Sequence, residues 1–474
     1  MTVSSFVRLS VMVVLTAHST ANAIAQTESI PKGQVVEKVE ALNDPSQSYA
    51  LYLPTNYTPD RKWPVLYAFD PGARGRVPVE RFKEAAERYG WIVLGSNNSR
   101  NGPFKVVVNA WNAMLTDIHQ RFAIDDERSY ATGFSGGARS AITVAVGCKC
   151  LAGVIAGGAG FPADITPSSQ MHFVFFAVAG VDDFNYAELQ SLQEPLTKAG
   201  IINRFQSFEG RHEWPPVSVA TAAVAWMEVH AIQAGKRPRD DGFINATWQQ
   251  LLNEARALEE SKKYYEKYQL YRDMAQSFKG LRDVAEMETK VNQLRDSREG
   301  KAAIREEQGQ IRKQRELESQ LSSLIATRDR AASANPNEEG FDSANLLPRI
   351  LNDLRKQSKA SDDSGQRRVA RRVLDGLFIG LVEQGTGLLQ TEKNYSESIK
   401  RFKLATEVNP DRPAPFFYLA WAYAANGDKK KSLQSLNTAV EKGFSDAAMI
   451  TGNKAFDSIR NEPEYQQIMA RLKK

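Results

Sequence analysis

Between residues 33 and 234, short and nearly continuous apolar runs alternate with segments of helical periodicity, and this alternation limits the possible folds more than any other feature of the chain. Eight runs read as strands: Val35–Val39, Tyr49–Leu53, Val65–Phe69, Trp91–Gly95, Ser129–Thr132, Gly153–Ala156, His172–Val178 and Arg204–Phe208. Several lack any polar alternation, the pattern of strands buried on both faces. Val79–Tyr89, Ala110–Phe122, Tyr186–Ala199 and Val217–His230 carry apolar residues at helical spacing between them. Strands joined through helices pair in parallel, so the expectation is a mainly parallel sheet with helices on both faces.

The 474 residues exceed one ordinary domain. The alternating pattern is assigned to 27–235, and 245–330 reads as helical throughout. Within it, Ala246 to Phe278 is either a degenerate repeat or an ordinary helical hairpin. From Arg295 to Arg330 Glu, Arg, Lys and Gln dominate, as in a long exposed helix or a weak coiled coil. Residues 331–345, centred on Asn335-Pro336-Asn337, read as a linker. In 346–474, Ser398, Phe402 and Ala405 recur as Ser432, Leu436 and Ala439, each displaced by 34 residues. That is the tetratricopeptide period, and Pro410 and Asn426-Gly427-Asp428 fall at its turns.

Residues 1–25 have the form of an export signal. Arg8 precedes Val11-Met12-Val13-Val14-Leu15, and small residues suit cleavage after Ala23 or Ala25. That run is too short to span a bilayer, and no later one reaches about 18 uncharged apolar residues. The mature chain is therefore expected to be exported, periplasmic or secreted, without a transmembrane segment. A formal net charge of +5, with no basic stretch interleaved with aromatics, argues against nucleic acid as a partner. Cys148 and Cys150 are too few for a structural zinc site, and a bridge across the single Lys149 needs unusual backbone; a structural role is expected for them, and neither metal nor cofactor is expected.

The chemistry is concentrated in Gly133-Phe134-Ser135-Gly136-Gly137, a Gly-x-Ser-x-Gly pattern between a strand-like run and a helix-compatible one. In a strand-turn-helix elbow the serine backbone is strained and the helix must pass close to the strand, so Gly133 and Gly137 are expected where a Cβ would collide. After the next long apolar strand comes Gly180-Val181-Asp182-Asp183, placing a carboxylate at a strand's carboxyl end; Asp183 is the expected acid and Asp182 the alternative. The strand Arg204–Phe208 is followed by Glu209-Gly210-Arg211-His212-Glu213-Trp214-Pro215, which makes His212, of only five histidines, the expected base. Ser135, Asp183 and His212 thus follow one another in the order Ser, acid, His.

Two backbone donors are expected for an oxyanion. Gly136 N–H follows the nucleophile, and Gly72 N–H is the second because Pro71 in Asp70-Pro71-Gly72 has no N–H to give. Asn98, Trp111 and Trp214 are pocket candidates, with packing or loop capping as the alternative for each.

Taken together, the elbow, the acid motif and the His-x-Trp-Pro element resemble the polyhydroxybutyrate-depolymerase and feruloyl-esterase branch of the α/β-hydrolases over about residues 33 to 235. The resemblance implies a secreted serine esterase using Ser135, Asp183 and His212, with an ester as substrate. Pro71 and the lack of a recognisable polymer-binding module depart from it. The C-terminal copies resemble tetratricopeptide repeats, which implies a protein or peptide partner. The expected fold is therefore an α/β-hydrolase domain followed by an all-α, tetratricopeptide-like region. Two other functions fit the same residues: an envelope adaptor that keeps the hydrolase fold as a scaffold, and a serine peptidase.

Overall fold

The computed structural model of the chain describes residues 30–333 and 343–472. The expected export signal, 1–25, and most of the expected linker, 331–345, lie outside the described residues. The chain divides into two compact units. One contains the residues up to Gly180, Glu188–Phe208 and Glu213–Gln293; the other contains Val181–Ala187, Glu209–His212 and the residues from Leu294 onward.

The first unit is built on an eight-stranded sheet of β1 (Val35–Ala41), β2 (Asp44–Tyr52), β3 (Trp63–Phe69), β4 (Ile92–Ser96), β5 (Ile124–Phe134), β6 (Gly153–Gly157), β7 (Val174–Gly180) and β8 (Asn203–Phe208). The strand order is β1-β2-β4-β3-β5-β6-β7-β8. Every pairing from β4 to β8 is parallel, while β1 with β2 and β2 with β4 are antiparallel. The sheet is mainly parallel as expected, and the antiparallel pairing of β1 with β2 has a local reason. Only Leu42 and Asn43 separate β1 from β2, and so short a connection can only form a hairpin. All seven residues of β3 are buried, as its unbroken apolar run requires.

Helices α1 (Arg76–Tyr89), α2 (Phe104–Arg121), α3 (Gly136–Cys148), α4 (Tyr186–Ser191) and α5 (Gln193–Lys198) lie between the strands, and α6 (Val217–Gln233) follows the last one. The single helix expected over 186–199 is instead the pair α4 and α5. Pro195 has no N–H to continue the first helix, and it is tolerated in the first turn of the second. Next come α7 (Asp241–Glu260), α8 (Tyr264–Ser277) and α9 (Ala285–Asp296). A reading in chain order groups α7 and α8 with the helical half, yet α8 is tied to the sheet. Asp273 accepts from Arg204 of β8 at 3.0 Å and from the indole of Trp226 on α6 at 2.9 Å. Cys148 and Cys150 form a disulfide at the end of α3, where Lys149 at φ 55° supplies the unusual backbone such a bridge needs.

The second unit contains α10 (Arg298–Ser333), α11 (Ser343–Ser358), α12 (Gly365–Gln390), α13 (Tyr395–Val408), α14 (Ala414–Ala425), α15 (Lys429–Glu441), α16 (Ala447–Thr451) and α17 (Pro463–Leu472). The expectation of an exposed helix over 295–330 is corrected in part. Glu307, Ile311, Gln314, Leu321 and Ile325 form a buried stripe on α10, and Leu321 and Ile325 share a core with α11, α12 and α13. Their spacing of three and four is helical, but the charged residues between them mask it. The two serines of the 34-residue period make similar bonds. Ser398 donates to Gly385 O and Ser432 to Ala420 O, each at 2.9 Å, so each serine ties its helix to the preceding one. Phe402 and Leu436, like Ala405 and Ala439, are fully buried at matching positions.

Together these elements form an α/β-hydrolase fold with a mostly parallel sheet, followed by a helical region. No helix among the described residues is long and apolar enough to cross a membrane.

Candidate active site

Strand order reverses around β3, since the chain steps from β3 to β4 on one side and from β4 to β5 on the other. Ligands of open α/β sheets bind outside the strand carboxyl ends at such a switch point. The loops leaving β3 and β5 there carry Asp70-Pro71-Gly72 and Ser135.

Ser135 has φ 54° and ψ −124°, a backbone conformation that a residue with a Cβ rarely adopts. Such strain persists only where the surroundings enforce it. A Cβ on Gly133 would come within 2.1 Å of Gly137 O, and one on Gly137 within 1.9 Å of Phe69 O. The two glycines therefore let α3 cross β5 and β3 at backbone contact, and the turn has no room to relax. Ser135 N–H donates to Gly157 O at 2.8 Å, which pins the elbow to β6.

The loop after β3 is organised by Asp70, a residue that the sequence reading passed over. Its side chain is fully buried and accepts from Gly72 N–H (2.8 Å), from Arg74 Nε (2.8 Å) and Nη2 (3.0 Å), and from the Trp214 indole (2.9 Å). Burial alone would raise this carboxyl, but the bonds from Arg74, Trp214 and Gly72 hold it below the ordinary aspartate value. The N–H of Gly72, the expected second oxyanion donor, is turned onto Asp70. Asn101, also passed over, lies on the other side: its N–H donates to Pro71 O at 2.9 Å, and its amide sits so close above Gly136 that a Cβ there would meet Asn101 Nδ2 at 3.1 Å and Oδ1 closer still.

Each of the three pocket candidates has a bonding or packing partner within the fold. Asn98 caps β2, accepting from Ser48 N–H at 2.8 Å and donating to Ser46 O at 3.0 Å. Trp111 is buried edge-on against Tyr67, at 4.8 Å between ring centroids. Trp214 is buried against Phe134 while it holds Asp70.

The loops leaving β7 and β8 belong to the second unit, and within it they form a bonded pair. His212 Nδ1 lies 2.9 Å from Asp183 Oδ1, which also accepts from Asn185 N–H at 2.8 Å. An ionised carboxylate only accepts, so the imidazole proton on that side sits on Nδ1. Asp183 Oδ2 has no hydrogen-bond partner among the described residues. Burial raises the Asp183 carboxyl, against the lowering effects of His212, Asn185 N–H and the Arg372 charge. Asp182, the alternative acid, is bonded elsewhere: its Oδ2 accepts from Arg371 at 2.7 Å, and its N–H donates to Gly210 O at 2.9 Å, joining the two loops.

The helices of this unit hold both loops. Arg372, buried on α12, donates to Val181 O at 2.6 Å and stacks 3.7 Å from the Tyr186 ring. Gln314 of α10 donates to Phe184 O at 2.9 Å, and the Phe184 ring lies 4.1 Å from that of His212. Nothing local in the sequence signals these contacts, since Arg372 is 191 residues from Val181.

The strand order and its parallel pairings are those of an α/β-hydrolase fold. No family model matches the chain, and no curated protein matches it in sequence. Solved structures similar to it include an S-formylglutathione hydrolase from Staphylococcus aureus, at 14% identity and TM-score 0.32, covering 42% of this chain and 98% of that one. A ferulic acid esterase is similar at 17% identity and TM-score 0.35, covering 41% and 97%. The feruloyl esterase module from Clostridium thermocellum is similar at 16% identity and TM-score 0.34, covering 40% and 85%.

Proposed function

We propose that this chain is a serine hydrolase acting on carboxylic esters, with Ser135 as nucleophile, His212 as base and Asp183 as the acid that orients it. The observation that carries the reading is the bonded Asp183–His212 pair on the loops leaving β7 and β8 of the sheet whose β5 ends in the Ser135 elbow. A serine hydroxyl is a weak nucleophile at neutral pH. His212 takes its proton as Ser135 Oγ attacks the ester carbonyl, then returns it to the departing alcohol. Water activated by the same imidazole cleaves the acyl-enzyme. Gly136 N–H is one oxyanion donor. With Gly72 N–H bonded to Asp70, the side-chain amide of Asn101 is the second, reached by presenting Nδ2 rather than Oδ1 over Gly136.

The reading includes export, supported by the form of residues 1–25 and by the Cys148–Cys150 disulfide, which belongs to an oxidising compartment. It also assigns the paired helices α12 to α15 to a tetratricopeptide-like module that docks a protein or peptide. One observation favours the adaptor reading instead: the Gly72 N–H expected at an oxyanion is bonded to Asp70. Labelling of the full chain by a fluorophosphonate separates the two. The hydrolase reading expects one labelled site that is lost in Ser135→Ala, together with turnover of short-chain aryl esters. Label retained in Ser135→Ala, or no turnover across acyl chains of different length, sinks it.

A further inference from the structure

A cavity of about 710 Å³ opens within the helical unit, in the size range of small-molecule sites. It is lined by the C-terminal end of α11, the adjoining face of α12, the turn after α13 and the 209–212 loop. Five cationic side chains border it: Arg211, Arg355, Lys356, Lys359 and Arg371. Two carboxylates, Asp375 and Asp411, are the only acidic residues of the lining, so five positive and two negative groups leave a formal charge of +3.

These carboxylates do not neutralise the cavity. Asp411 is 3.3 Å from Lys359. Asp375 lies between Arg211 at 3.9 Å and Arg412 at 4.0 Å, so a second cation beyond the lining shares it. Arg371 is bonded to Asp182, and Arg355 donates to the backbone carbonyl of Glu407, which contributes no charge. Lys356 has no acidic partner among the described residues. Cations that line one cavity repel one another unless an anion joins them. Arginine forks and lysine ammonium groups side by side suit a ligand with at least two negative charges, either phosphoryl or polycarboxylate.

The place of the cavity suggests what its occupant does. Arg211 immediately precedes His212, and Arg371 holds Asp182, the neighbour of Asp183. An anion that engages both arginines therefore acts one residue away from each member of the acid–base pair. We propose that this cavity binds a small polyanion and that its occupancy changes the setting of the Asp183–His212 pair. The first half stands without the hydrolase reading; the second half takes its importance from that reading.

Calorimetric titration of the full-length Ser135→Ala chain, at constant ionic strength, tests the site with two probes: inorganic pyrophosphate for a phosphoryl source and citrate for a carboxylate source. Saturable one-to-one binding of either probe is expected, with affinity reduced at least tenfold in Lys356→Glu. That substitution lies on an exposed residue, and an unchanged circular dichroism spectrum and melting temperature show that the fold is intact. No saturable heat with both probes, or equal affinity in Lys356→Glu, overturns the site. The coupling is read without turnover from the imidazole NMR signal of His212, assigned by its loss in His212→Gln. This signal is expected to move with the same midpoint as binding. Binding that leaves it unmoved overturns the coupling. A failure of the hydrolase reading appears separately, as absent fluorophosphonate labelling of Ser135 in the unsubstituted chain.

Discussion

Asp70, on the loop leaving β3, and Asp183, on the loop leaving β7, are both fully buried carboxylates at strand carboxyl ends, but they differ in how their charge is met. Among the described residues five donor atoms converge on Asp70, and its carboxyl is held below the ordinary range in spite of burial. Asp183 receives His212 Nδ1 and one backbone N–H, both on Oδ1, and burial prevails. A carboxylate with every lone pair occupied gains little from another positive charge and serves to fix a loop. A carboxylate left short of partners in a low-dielectric setting gains most when the imidazole beside it becomes positive. The contrast separates an architectural acid from an acid suited to stabilise an imidazolium.

The largest effect expected from this contrast is at Asp183. In Asp183→Asn the carboxamide keeps the shape but loses the charge and permits the wrong imidazole tautomer, so kcat for ester hydrolysis should fall by about 10⁴-fold. Folding stability in urea should stay level or rise, because a buried and partly unmet charge has been removed. A stability loss larger than that of Asp70→Asn would break the comparison. Next comes Asn101→Ala, which should lower kcat by about 100-fold with little change in KM, as expected when one oxyanion donor is lost. Unchanged kcat would return the search for the second donor to the loop around Gly72.

Much of this was legible in the sequence. The eight strands, the Ser135 elbow, and Asp183 and His212 in their order follow from local periodicity and from turn residues next to strands. The structure pairs Asp183, the expected acid, with His212, and Asp182, the alternative, with Arg371. What was not legible is non-local. Trp214 is a pocket candidate by its place near His212, while its indole bonds Asp70 from 144 residues away. Gly72 read as a donor because Pro71 could not be one, and nothing in the Asp-Pro-Gly turn announced that the aspartate would claim that N–H. The grip of α10 and α12 on the acid loop spans still longer separations and resembles an ordinary charged helix surface until the chain is folded.

At Asp70 the expected effect is on stability. Asp70→Asn loses charge-assisted bonds to Arg74 and Trp214 and should cost about 2 kcal/mol in urea unfolding at pH 7, discounted for the exposure of Arg74. The pH dependence gives the sign. A carboxyl lowered in the folded state adds stability that is full above its unfolded value, 3.8, and is lost as pH falls through the folded value. The difference between wild type and Asp70→Asn should therefore shrink as pH drops below about 4. Asp183, raised in the folded state, behaves in the opposite sense: its contribution is most favourable below 3.8 and is lost as pH rises through the folded value. The gap between Asp183→Asn and wild type should widen in favour of the variant as pH rises from acid toward neutral. Parallel pH profiles for the two variants would show that the two carboxylates are not distinct.

The smallest effect sharpens the comparison most, because it tests whether the helical unit sets the electrostatics of the acid loop or only supports it. Arg372 donates to Val181 O, and its charge lowers the Asp183 carboxyl against the effect of burial. Arg372→Met removes both contributions, and kcat should fall about tenfold, in line with a small displacement of a positioned group. The acid limb of the kcat–pH profile should also move to higher pH, since Asp183 then ionises with one less cation nearby. Arg372→Lys keeps a positive charge at the loop and should move that limb back, even if the bond to Val181 O is imperfect. A purely architectural arginine would lower stability and kcat in both variants and leave the limb where it was. A limb that follows the charge makes Arg372 a positioning residue, and makes the partial satisfaction of Asp183 a property set by a helix 191 residues along the chain from the loop it grips.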